Sequence, residues 1–187
     1  MAIRLFLLAI LSCALAACVS DTPTKKPNPM SQSSAVAVAT PEFITHENTT
    51  LRWRSKLIWV DDPEGRFERR ADMLQQALQN EFVRKGYSFV SAGEPASYDV
   101  IAVAVLGAIE GYAKLEETFR LYPSLSRGYS DYKRGSVLVA LAPAGTTKIV
   151  WRGALEMFTD PGMVPIDVRE KRMQWGSQQL LKSIRNY

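Results

Sequence analysis

The sequence predicts an α+β fold, a two-layer sandwich with two helices packed on one face of a mainly antiparallel sheet. Three observations predict it. Leu51, Trp53, Leu57 and Trp59 fall on one side of a period-two pattern, with Arg52, Arg54 and Lys56 on the other, the signature of a half-buried strand. Phe67, Ala71, Leu74, Leu78 and Phe82 recur at helical spacing, and Ala77 and Val83 widen the stripe, as expected of an amphipathic helix lying on a core. Gly135–Leu141 and Thr147–Phe158 are two β-rich runs around the short loop Ala142-Pro-Ala-Gly-Thr146, and they predict an antiparallel hairpin. The order of strand, helix, short strands, hairpin and helix puts both helices on one layer.

Taken in order, folded structure begins near Thr49 with the strand Leu51–Val60. Asp61-Asp-Pro-Glu follows as a turn and helix start, in which Asp62 accepts from free amides and Pro63 suits the first turn. Acids there also favour the positive end of the helix. Lys85-Gly86 closes the helix, with a glycine suited to the left-handed position. Tyr87–Val90 is a short strand, and Ser91–Ser97 is a turn. Tyr98–Leu106 is apolar on both alternating faces, which marks a central strand covered above and below or paired with an oligomeric neighbour. Asp99 opens that strand, where a hydrogen-bonding role at the strand edge competes with a role as a functional acid. In the second hairpin strand, Ile149, Trp151, Leu155 and Met157 share one face, Arg152 and Glu156 share the other, and Gly153 marks a bulge or a close backbone approach. After Asp160-Pro-Gly, the residues Ile166, Arg169, Met173, Gly176, Leu180 and Ile184 describe a closing helix whose stripe is interrupted by Gly176.

The N-terminal region has a different character. Arg4 precedes an apolar run from Leu5 to Ala17, the layout of a secretory signal and too short to span a bilayer as a stable helix. Leu15-Ala-Ala-Cys18 resembles the lipobox of bacterial lipoproteins. That resemblance implies cleavage before Cys18, lipid on its sulfur and an acylated amine, with residues 1–17 as signal peptide and palmitate among the attached chains. Val19, which is not acidic, favours the outer membrane facing the periplasm, by analogy with enteric sorting. Residues 18–48 are then the lipidated cysteine and a flexible tether rich in Pro, Ser, Thr and Ala, unable to bury enough apolar surface to offset its ordering. Ala35-Val-Ala-Val-Ala39 is a weak apolar patch, assigned to the tether with a strand as the alternative. Residues 49–187 form the globular domain.

Composition narrows the chemistry. The chain of 187 residues carries a formal net charge of +4, without long Lys/Arg runs or a basic stripe, so a nucleic-acid partner is not expected. Its cysteines are Cys13, which leaves with the signal, and Cys18, so the domain has no thiol. His46 is the sole histidine and lies in the linker. A zinc site draws several Cys, His or carboxylate ligands, and a hydrolytic triad normally needs a histidine base. No metal, no cofactor and no catalytic constellation are therefore expected.

Gly107–Arg134 is the least regular stretch. Tyr112, Phe119, Tyr122, Tyr129 and Tyr132 interleave with Lys114, Arg120, Arg127, Lys133 and Arg134. Two readings stand: a partner-binding surface centred on Arg120, Tyr122, Arg127 and Tyr129, or a long hairpin whose aromatics pack across strands. Leu78-Gln-Asn-Glu-Phe-Val-Arg-Lys-Gly-Tyr87, Tyr98-Asp-Val100, and Tyr132-Lys-Arg-Gly-Ser-Val-Leu-Val139 leading to Lys148-Ile-Val-Trp-Arg-Gly-Ala154 resemble the domain of unknown function 4136 family of bacterial envelope lipoproteins, over about residues 49 to 185. The loop Ala142-Pro-Ala departs from the family's Asp-rich turn. The resemblance implies export, an envelope location and the two-layer fold, and it carries no activity. The expected function is a lipid-anchored, non-enzymatic binding or assembly module with an envelope-protein or cell-wall partner, self-association included. The alternatives are a carboxylate hydrolase acting on envelope carbohydrate, drawing on Asp99, Glu110, Glu116 and Glu117, and a structural link between membrane and cell wall.

Overall fold

The computed structural model describes residues 28–60, 62, 67–107, 117, 119–123, 125, 133–159 and 164–187. A short 3-10 turn, Pro29–Ser31, leads into β1 (Ser33–Ala39). Then come β2 (Thr50–Trp53), β3 (Ile58–Trp59), helix α1 (Glu68–Arg84), β4 (Ser88–Phe89), β5 (Tyr98–Leu106), β6 (Lys133–Pro143), β7 (Trp151–Thr159) and helix α2 (Ile166–Leu180). The strands form one sheet in the order β1-β7-β6-β5-β2-β4, and β3 also pairs with β5. Both helices lie against the same face. Leu74, Leu78 and Phe82 of α1 and Leu180 of α2 join Leu51, Val100, Val139, Trp151 and Leu155 of the sheet in one buried cluster. The α+β sandwich read from the sequence is the observed architecture.

The sheet is mixed. Its long ladders, β1 to β7, β7 to β6 and β6 to β5, are antiparallel, whereas β2 runs parallel to β4 and β5, and β3 parallel to β5. The parallel part follows from α1, because a strand that is followed by a covering helix returns to the sheet through a crossover. The strand expected over 51–60 is also divided. Leu57 donates its N–H to Oε1 of Gln75 on α1 (2.7 Å), so the chain bends away from β5 before Ile58 pairs again with Val103. The predicted alternation survives the break. Leu51 and Leu57 are buried, Trp53 and Trp59 pack against the core, and Ile58 is exposed.

A second difference concerns Ala35–Ala39. This patch, assigned to the tether, lies within β1 and pairs with β7 from Ser33 opposite Met157 to Ala39 opposite Trp151. Small side chains let the strand lie close, with Ala37 packed on the main core and Val36 on the opposite face. The weak local signal is compensated by a partner strand more than a hundred residues away in sequence.

The helix ends follow from their residues. Asp62 Oδ2 accepts the N–H of Phe67, which precedes the first turn of α1 (2.7 Å). At the other end Gly86 adopts φ +95°, the left-handed conformation that ends the helix. A Cβ there would stand 2.9 Å from the carbonyl oxygen of Tyr187, which folds back so that its N–H donates to the Lys85 carbonyl (2.9 Å). Lys85 Nζ, buried, donates to Ile184 O (2.8 Å) and Asn186 Oδ1 (2.7 Å). Gly86→Ala is expected to lower stability by at least about 1–2 kcal/mol, the cost of a left-handed L-residue, measured as a lower urea midpoint at unchanged slope.

Candidate functional site

The side of the sheet opposite the helices carries polar groups that the alternation forces there. Asp99, Arg52, Arg152 and Glu156 occupy alternate positions with core residues on β5, β2 and β7. Part of this side is covered by the described residues of the irregular stretch. Leu121 is buried against Leu138 and Ala154, with Phe119 and Val36 beside them. Pro123 and Leu125 are buried as well.

The strip from Phe119 to Leu125 is tied to the sheet by two polar side chains of β7. Arg152 Nε donates to the carbonyl of Phe119 (2.7 Å), and Glu156 Oε2 accepts the N–H of Leu125 (3.2 Å). Glu156 is buried, and Arg134 of β6 brings its Nη1 to 4.0 Å from Oε1. Between these fixings Arg120 and Tyr122 face outward, and Tyr122 is 61% exposed. Arg120 has φ +49°, a left-handed conformation that costs a non-glycine residue about 1–3 kcal/mol and persists when its surroundings impose it. Buried Leu121, Pro123 and Leu125 alternate with exposed Arg120 and Tyr122. Together with Ile149 and Arg152, Phe119 and Arg120 line a shallow depression beside the strip.

Of the four partner-binding candidates, the structure places Arg120 and Tyr122 on this strip, whereas Arg127 and Tyr129 lie outside the described residues, as does Cys18. At the described positions Leu121 and Leu125 are buried and Arg120 and Tyr122 are exposed. Glu110 and Glu116 also lie outside the described residues, and Glu117 is exposed.

Asp99, weighed as a functional acid, sits at the centre of an ion-pair cluster. Arg52 reaches Oδ1 through Nε (2.9 Å) and Nη2 (2.7 Å), Arg54 Nη2 reaches Oδ2 (3.2 Å), and the Gly145 N–H donates to Oδ2 (3.0 Å). Burial acts to raise its pKa, but the Gly145 N–H and the Arg52 and Arg54 guanidiniums outweigh burial and hold the carboxyl below its ordinary range. Arg52 also donates to Glu94 O (2.9 Å) and Arg54 to Thr146 O, so the cluster joins β2 and β5 to the β4–β5 and β6–β7 turns. Sequence reasoning treated Arg52 and Arg54 as a solvated face. Two cations at alternate positions of one strand and an acid opening a doubly buried strand were the available signal. Glu156 was placed on the correct face, but its burial under Leu125 depends on a long-range contact. Among the described residues, no group of His, Cys, Asp and Glu is arranged to hold a metal ion.

No family model matches the chain, and no curated protein matches it. Solved structures do match. The PelC dodecamer from Paraburkholderia phytofirmans is 8% identical, over 80% of this chain and 98% of that one, with a TM-score of 0.43. A putative lipoprotein from Caulobacter crescentus is 15% identical, over 69% of this chain and 82% of that one, with a TM-score of 0.31. A DUF4136 family protein from Bacteroides thetaiotaomicron is 12% identical, over 79% and 95% of the two chains, with a TM-score of 0.49. Among these structures, the chain is thus similar to a DUF4136 family protein.

Proposed function

We propose that this chain is a lipid-anchored protein of a bacterial cell envelope, and that its domain is a non-enzymatic module binding an envelope partner through the strip around Arg120 and Tyr122. The observation that carries the binding role is the fixing of that strip. Buried Glu156 and half-buried Arg152 are committed to its backbone, while an arginine and a tyrosine, residue types rich in binding energy, stay outside. Arg127 and Tyr129 are further candidates for that contact. The acid best placed by burial for chemistry, Asp99, is neutralised by two arginines, which favours binding over hydrolysis.

The anchor is Cys18, with residues 1–17 removed and the first part of 18–48 as tether, in the outer membrane and facing the periplasm. More than one acyl chain gives lasting attachment, at ~0.8 kcal/mol per buried methylene. Cys18→Ala is expected to abolish incorporation of labelled palmitate and to release the protein from the membrane fraction; retained label refutes the anchor. For the strip, crosslinking in native membranes is expected to yield a discrete adduct that Arg120→Ala with Tyr122→Ala removes. An unchanged adduct pattern rejects that surface.

A further inference from the structure

Between the two helices and the sheet, on the face opposite the strip, lies a cavity of about 320 Å³, within the ~300–1,000 Å³ typical of small-molecule sites. Its interior is apolar, formed by Leu74 and Leu78 of α1, Val137 of β6, Leu155 and Met157 of β7, and Met173 of α2. The gap has a cause in sequence. Gly176 and Ser177 are buried and bring the C-terminal half of α2 onto β7, where a Cβ on Gly176 would stand 2.7 Å from Met157 Sδ. The N-terminal half carries Arg169 and Arg172 at positions a closely packed helix would fill with apolar residues, and Ile166 and Val168 are exposed.

The cavity is bordered by cations. Arg70, Lys133, Arg169 and Arg172 all line it. Arg70 is half-buried, with its guanidinium over the Phe67 ring, 5.1 Å from the centroid, and Arg169 is close enough to depress its basicity further after burial has done so. Arg169 Nη2 donates to the Val164 carbonyl (3.1 Å), and Arg172 donates to the Phe158 carbonyl. Among the described residues, neither Arg70, Arg169 nor Lys133 pairs with a carboxylate. Trp59, stacked on Phe67 at 5.0 Å, also lines the cavity and holds a buried indole N–H that meets no acceptor among the described residues. Like charges held together beside an apolar hollow are unfavourable unless an anion joins them, because half-burial weakens solvent screening.

We infer that this cavity binds a fatty-acid anion, its acyl chain lying between α1, α2 and the sheet and its carboxylate at the Arg70–Arg169 pair. A purely apolar guest would leave Arg70 and Arg169 without a carboxylate partner among the described residues, and a small anion would leave the hollow empty. A chain ended by a carboxylate fits both, and it needs no covalent step. The site is separate from the Arg120–Tyr122 strip, so each can fail without the other.

The test uses the full chain in phosphatidylcholine vesicles containing diazirine-bearing palmitic acid, irradiated and mapped by peptide mass spectrometry. Adducts are expected on the peptides holding Leu74 to Leu78, Val137 and Met173. Arg70→Gln with Arg169→Gln is expected to reduce them about tenfold or more, the loss that follows removal of charge-assisted contacts, while the corresponding double change to Lys retains them. The methyl ester of the probe is expected to label the cavity about tenfold less, by the same loss of charge. Adducts absent from these peptides, or equal labelling by the ester, overturn the assignment, as does undiminished labelling of a glutamine variant with unchanged circular dichroism.

Discussion

Asp99→Ala will destabilise the domain by about 2–4 kcal/mol, somewhat below the usual cost of breaking a buried ion pair because the arginines are partly exposed. The Asp99 side chain is 3% exposed, whereas Arg52 and Arg54 are 22% and 33% exposed. Removing the carboxylate leaves both guanidiniums without their shared acceptor and leaves the Gly145 N–H unanswered. Urea denaturation reads the loss as a lower midpoint. The same group predicts a pH dependence. Its folded pKa lies below the ordinary 3.8, so its contribution is complete above about pH 4 and is lost as the pH falls through the depressed folded value. The wild-type stability should therefore fall in that acid window, with a smaller fall in Asp99→Ala. An equal acid profile for the two proteins contradicts the cluster's role.

The second large effect is expected at Gly153, where the sequence indicated a bulge or a close approach. It is a close approach. The β1–β7 and β6–β7 registers run through Gly153 without a break, and a Cβ there would meet Trp151 Cη2 at 2.6 Å and Leu180 Cδ1 at 3.0 Å. The indole of Trp151, almost fully buried, lies across the space a side chain would need, and the edge of α2 closes it from above. Gly153→Val is expected to cost about 2–3 kcal/mol by overpacking, and Trp151→Leu about 2–4 kcal/mol through the cavity it opens. Because the first substitution fills space that the second vacates, the double variant should be less destabilised than the sum by about 1 kcal/mol or more. Thermal or urea unfolding of the four proteins measures the cycle, and strict additivity would falsify this packing account.

These cases show where the residues speak for themselves. The faces of β2, β3 and β7 were legible because period two needs only neighbouring residues, and Leu51, Trp53, Leu57 and Trp59 obey it even across the bend at Ser55. Helix α1 was legible for the same reason at its own period, down to Asp62 and Gly86 at its ends. The edge strand β1 was not, because alanines and valines in a Pro- and Ser-rich context carry little local preference and its stability comes from β7. The mixed pairing was hidden because direction depends on the crossover through α1, not on strand composition. At the candidate strip, sequence singled out Arg120 and Tyr122, but their fixing by Arg152 and Glu156 joins residues about thirty positions apart. The hollow under α2 was hidden too, since it arises from how two weakly patterned surfaces fail to meet.

The docking of β1 has a geometric consequence for any attachment at Cys18. With Ser33–Ala39 held on β7, Asn28, the first described residue, is ten peptide steps from Cys18 in sequence. Such a span cannot exceed about 35 Å in any conformation, whereas freeing the chain up to Thr50 would raise that ceiling to about 110 Å. Met30, at the near end, borders the mouth of the hollow and touches Arg172 through its sulfur (2.9 Å). For a chain anchored at Cys18, as proposed above, the edge strand would act as a stop on the leash, its pairing setting how far the domain could stand from the bilayer.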